Sequence, residues 1–324
     1  MRKILLGTTA LAAAATLSAN AALADVSISG YYEWKYQSRS SDITTNDGTT
    51  FASDSEIAFK FSNKTDSGLD IGLTVEMLSD GDETNNTDEA SLSIAGGFGK
   101  VVLGQNDGVG DNYGVASTDL PAEEIYATGV DTLTILNADI ASLGSDTNKI
   151  AYHLPAMGGL TAGISYLDSG AAGSADSTEV GFKYSMDAAG ASVLIGGASG
   201  TTENSTQDID SQNIGVKVTS GNITAAVSQS TYEASNTDEE STGAAVSFKV
   251  SDGMTFTVHT AETEDNTSSE EYTNSGAEIA YTIASGLTAY VNVEDYDYKI
   301  GSGSGAGTTA DSGTVSKLTI KATF

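Results

Sequence analysis

Two histidines, one arginine beyond residue 24 and no cysteine limit the chemistry open to this 324-residue chain. Without thiols there is no disulfide framework, zinc thiolate site, iron–sulfur cluster or sulfur nucleophile. His153 and His259 fall on polar faces of their segments, with no serine or carboxylate at the spacing a hydrolytic triad uses. No catalytic residues are therefore expected, and the chain is not read as an enzyme. Carboxylates dominate instead, with 44 acidic against 14 basic side chains and a formal net charge of -30. That balance repels nucleic-acid phosphates and excludes a nucleic-acid partner. Carboxylate oxygens also suit a hard cation. Asp107 with Asp111, or Asp80 with Asp82 and Glu83, are candidate calcium ligands, although no loop has regular calcium-loop spacing. No other cofactor is expected. One long stretch carries Asp107, Asp111, Asp119, Glu123, Glu124, Asp131, Asp139 and Asp146, with no Lys or Arg until Lys149.

Several kinds of segment must position these groups. Residues 1–24 have the grammar of a secretory signal peptide: Arg2 and Lys3, an apolar Ala-rich stretch from Ile4 to Leu17, and Ala22-Leu23-Ala24 before the expected cleavage. The apolar run is shorter than the roughly 20 residues a helical span needs. Beyond it, period-2 alternation dominates and helical spacing is nearly absent. Ile57, Phe59 and Phe61 oppose Glu56, Ala58, Lys60 and Ser62; Val180, Phe182, Tyr184 and Met186 oppose Glu179, Gly181, Lys183 and Ser185. The pattern returns in Asn213 to Thr219, Ala244 to Val250 and Met254 to His259.

The connections between these strands alternate in length. Short turns fall at Lys64 to Gly68, Gly96 to Gly99, Pro155 to Gly159, Asp187 to Gly190, Ser220 to Asn222, Ser251 to Gly253 and Ser285-Gly286. Longer polar loops are expected near Ser40 to Thr50, Asp80 to Asp88, Ser169 to Ser177, Gly200 to Asp210, Ala234 to Glu239, Glu264 to Thr273 and Gly301 to Ser312, with one far longer connection at about 105–147. Short turns on one side and long loops on the other, joining strands of about 10 residues, are the grammar of a transmembrane antiparallel β-barrel. The count gives an all-β barrel of 16 strands over residues 25–324. Such a barrel satisfies its backbone between strands, turns apolar side chains to lipid and polar ones to a wet lumen. Tyr32, Trp34, Tyr36, Tyr184 and Phe248 are candidates for its interface belts. A soluble sandwich would explain the alternation but not the alternating loop lengths.

Gly96-Gly97-Phe98-Gly99-Lys100-Val101-Val102-Leu103-Gly104-Gln105-Asn106-Asp107, followed by the long connection, resembles the segment leading into the third loop of general bacterial outer-membrane porins of the alphaproteobacterial type. The opening Asp25 to Tyr31 and the closing Val315 to Phe324, with its terminal Phe, are similar to that family's first and last strands. The resemblance implies a homotrimer in the Gram-negative outer membrane, each barrel a diffusion pore for small hydrophilic solutes and ions, with the third loop folded into the lumen. It implies a constriction carried by Asp107, Asp111, Asp119, Glu123, Glu124, Asp131 and Asp139, whose carboxylates favour cations. Family members face this loop with an arginine cluster; here Arg39 stands alone.

The basic residues follow a pattern of their own. Lys60, Lys183, Lys217, Lys249 and Lys321 each stand between two outward residues just before a turn or the terminus, which predicts a basic collar in the lumen near the short-turn end. The competing expectation is an exported acidic β protein that binds partners through its loops, adhesin-like and without conductance.

Overall fold

The computed structural model describes residues 25–78, 87–117, 120, 133, 147–168, 170, 175–203, 208–301 and 309–324. The expected signal peptide lies outside the described residues. Sixteen strands form one closed barrel in which each pairs antiparallel with its neighbours in sequence and the last returns to the first. They are β1 (Asp25–Ser41), β2 (Gly48–Lys64), β3 (Asp70–Leu78), β4 (Thr87–Gly96), β5 (Gly99–Asn106), β6 (Thr147–His153), β7 (Leu160–Leu167), β8 (Asp176–Ala188), β9 (Ala191–Glu203), β10 (Asp208–Ser220), β11 (Ile223–Ala234), β12 (Thr237–Ser251), β13 (Met254–Asp265), β14 (Glu270–Ala284), β15 (Leu287–Lys299) and β16 (Asp311–Thr323). One short helix, α1 (Val109–Tyr113), follows β5.

The alternation in sequence becomes two faces with inverted polarity. Ile57, Phe182, Tyr184, Val246, Phe248, Phe256, Val258, Ile279, Val291 and Val293 point outward and are exposed. Glu33, Ser211, Asn213, Thr257, Glu278, Asn292 and Glu294 belong to the opposite, inner face and are buried. Each large apolar side chain left in water forgoes roughly 1.5–3 kcal/mol, so this surface requires a hydrocarbon solvent. Closure leaves no strand edge, so the backbone is satisfied without a spanning helix, and none of the described helices is long or apolar enough to span. Tyr32 and Trp34 lie on the outer face as expected, and Phe51 of β2 stacks on Trp34 at 5.5 Å between centroids.

The wall is uneven. β3 to β7 are 7–10 residues long, whereas β8 to β16 run 12–15 and β1 and β2 reach 17. The expectation of strands of about 10 residues thus holds only on the low side. Two of the expected long loops are strand: only Ser235 and Asn236 separate β11 from β12, and residues 266–269 separate β13 from β14. Above the apolar belt both faces are polar, so the alternation that marks a strand vanishes while the ladder continues, with Glu240 opposite Glu264 and Glu264 opposite Glu271.

Candidate functional site

The connection between β5 and β6, residues 107–146, starts by turning inward. Its first described residues lie along the inner faces of β7 to β11, where wall side chains receive its backbone donors. Val109 N donates to Ser165 Oγ at 3.1 Å, Gly110 N to Glu179 Oε2 at 3.1 Å, Val115 N to Asn213 Oδ1 at 2.9 Å and Ser117 N to Ser228 Oγ at 2.8 Å. Ser165 Oγ also donates to Glu179 Oε2 at 3.0 Å, and Asn213 Nδ2 donates to Ser230 Oγ at 3.0 Å, so the acceptors are themselves held. Two of these donors, those of Val109 and Gly110, are helix N-terminal N–H groups that no intrahelical carbonyl can satisfy. Glu179 places a carboxylate where the positive end of α1 favours one.

Missing side chains make this track possible. A Cβ on Gly215 of β10 would lie 2.0 Å from Val115 O, and one on Gly108 would lie 1.9 Å from Glu179 Oε2. Gly181 and Gly196 open the same path for Tyr113 and Val115. Val109, Tyr113, Val115 and Ala116 are buried there, and Tyr113 reaches the wall of β6 through a 3.0 Å contact between its hydroxyl and His153 Nδ1. Across the strand order, Leu133 of the same connection is buried with Tyr272, Tyr296, Tyr298 and Val315 of β14 to β16.

Asp107 and Asp111 are exposed on this inward segment. Asp119, Glu123, Glu124, Asp131 and Asp139 lie outside the described residues, as do Asp80, Asp82 and Glu83. Lys60, Lys183, Lys217, Lys249 and Lys321 all occupy inward positions of β2, β8, β10, β12 and β16, but their surroundings differ. Lys183 and Lys217 stand two residues from Gly181 and Gly215, directly beyond the track. Lys249 pairs with Asp252 at 2.9 Å in the turn, and Lys321 pairs with the buried Glu33 while its ammonium lies 4.5 Å from the Tyr31 ring centroid. Glu33 also holds Lys35 at 2.7 Å. Arg39 is committed elsewhere, in a buried ion pair with Asp311 where β1 meets β16.

Among the described residues the carboxylates that converge are Glu262, Glu264 and Glu271 on the outer face, and Glu271 already holds the Lys299 ammonium. They form an ion-pair network above the belt. Sequence reasoning missed Glu179, Asn213, Ser165 and Ser228. The one signal for them was glycine at inward positions of three successive strands, β8 to β10.

Solved structures share this architecture at low identity. A trimer form of OmpT from Vibrio cholerae superposes with a TM-score of 0.70 at 16% identity, covering 93% of this chain and 99% of that one. An anion-selective porin from Comamonas acidovorans gives 0.68 at 16% identity, covering 93% and 100%. A mutant porin of Rh. blastica gives 0.65 at 16%, covering 93% and 100%. No match was found among curated protein sequences. The family model for the Gram-negative porin matches residues 7–301, nearly the whole length of a chain whose sixteen strands close around an inward connection. The chain belongs to the Gram-negative porin family.

Proposed function

We propose that the chain is a passive, weakly selective pore of the outer membrane that passes small hydrophilic solutes and prefers cations. It is exported on a signal peptide cleaved after Ala24 and assembles as a homotrimer, a reading supported by the OmpT structure described as a trimer form. The observation that carries the cation preference is the docked start of the inward connection, which exposes Asp107 and Asp111 while Arg39, the one arginine beyond residue 24, is tied to Asp311. No arginine is left to oppose the carboxylates. Asp107, Asp111, Asp119, Glu123, Glu124, Asp131 and Asp139 then set a negative potential that concentrates cations. The lysines temper it. Lys60 and Lys217 act on passing ions, and Lys249 and Lys321 spend most of their field on their own partners. A porin of the same fold is described as anion-selective, so side chains rather than the barrel decide the sign.

Single-channel recording in a planar bilayer, with a reversal potential taken across a KCl gradient, tests this reading. Three-step closures and a cation-selective reversal are expected. Anion-selective reversal would overturn the assigned sign, and well-inserted protein that conducts nothing would overturn the pore and favour the surface-binding role.

A further inference from the structure

The seam where the barrel closes is built around one carboxylate. Asp311, at the start of β16, accepts from Arg39 and Ser41 of β1, from Asn46 Nδ2 of the following connection at 3.1 Å and from the Tyr296 hydroxyl of β15 at 3.1 Å. Arg39 Nε in turn donates to Tyr296 Oη at 2.8 Å, with the guanidinium carbon 5.1 Å from the ring centroid. The Arg39 and Asp311 side chains are each only 8% exposed. A buried ion pair repays its desolvation only when its remaining hydrogen-bonding capacity is filled, as it is here, and such pairs are more useful for fixing geometry than for adding stability.

Tyr296 belongs to two structures at once. Its hydroxyl lies in the seam network, while its ring is part of the buried cluster that receives Leu133 of the inward connection. The other members, Tyr272, Tyr298 and Val315, come from β14, β15 and β16. An apolar contact alone is non-directional, so something must fix where this seat lies. We propose that Arg39, Asp311 and Tyr296 are positioning residues for the pore: the seam network holds the Tyr296 ring, the ring holds Leu133, and the connection is thereby tied to the barrel closure and to Asn46 beyond the end of β1.

The inference rests on the pore reading only for its electrical readout. The chain has no cysteine, so the double variant Leu133→Cys/Val315→Cys reports the seat by disulfide formation independently of current. In that background Asp311→Asn and Tyr296→Phe are expected to slow cross-linking. In the cysteine-free wild type they raise open-channel noise, while heat-resistant migration of the folded barrel is kept. Asp295→Asn, an outward carboxylate of β15 that accepts from Thr314 Oγ1 at 2.6 Å, changes neither. If Asp311→Asn does not fold, Tyr296→Phe decides, because it keeps the ring and removes only the hydroxyl. Unchanged cross-linking and noise in Tyr296→Phe overturn the proposal. A barrel that does not conduct but cross-links, and loses the cross-link in Tyr296→Phe, keeps the seat while the pore reading falls.

Discussion

Among its described residues, the inward connection is held at two places by opposite means. Along β7 to β11 it is held by hydrogen bonds from its backbone to fixed wall acceptors, over a floor of glycines. At β14 to β16 it is held by the apolar contact of one leucine among tyrosines. Hydrogen bonds have direction and register, so the first place dictates where each residue sits. A packed leucine gives affinity without register, so the second borrows its position from the polar network behind it.

The strongest way to break that contrast is Gly215→Val. Its Cβ would meet the Val115 carbonyl carbon and oxygen, backbone atoms that cannot swing away. Overpacking of this kind costs about 1–3 kcal/mol, and lifting the track off β10 is expected to change single-channel conductance in every inserted molecule. Glu179→Ala ranks next. It strands the Gly110 amide and the Ser165 hydroxyl, a loss of about 1–3 kcal/mol when donors are left buried and unpaired. Limited proteolysis within residues 107–146 should become faster without loss of the folded barrel. Glu179→Gln, which keeps an acceptor, should recover part of the protection.

The third variant sharpens the contrast between lysines. Lys60→Gln with Lys217→Gln should move the reversal potential further toward cations, and Lys249→Gln with Lys321→Gln should move it less, since the latter pair already faces carboxylates. Equal shifts would mean that the lysines act as one collar regardless of their partners. The smallest effect concerns Asp252, whose carboxyl is held below the usual carboxylate range by the hydrogen bond and charge of Lys249. A depressed value means that the contact contributes above the ordinary carboxylate pKa and is lost as pH falls through the lowered one. Both groups are well exposed, so acid titration of a labelled Asp252 should show the shift, and its loss in Lys249→Gln, with almost no change in thermal stability.

The sequence announced the barrel through alternation wherever one face meets lipid, as in Val180 to Met186, and through turns rich in glycine. It hid the upper strands. Around Glu262 and Glu264 both faces are polar, so residues that pair in register read as loop. The site was legible in charge but not in attachment. Asp107 and Asp111 were visible as an acidic run, whereas Glu179 looked like any polar residue of β8 until Gly110 was found above it. Arg39 was conspicuous as the lone arginine, yet only the pairing of β1 with β16 reveals Asp311, 272 positions away, as its partner. Contacts between residues so far apart in sequence leave no local periodicity to read.

The two-residue repeat of the wall also bears on how such a chain travels. Apolar groups spread over alternate positions never build a continuous greasy stretch, and the mean hydropathy of the whole sequence is only -0.13. Insertion of a helix into a bilayer depends on the summed transfer energy of some 20 consecutive residues, which this spelling keeps unfavourable. The lipid-facing surface therefore does not exist as an adhesive patch until neighbouring strands are zipped side by side. A polypeptide written this way can be threaded across one membrane without being trapped there and still become oily enough to reside in another.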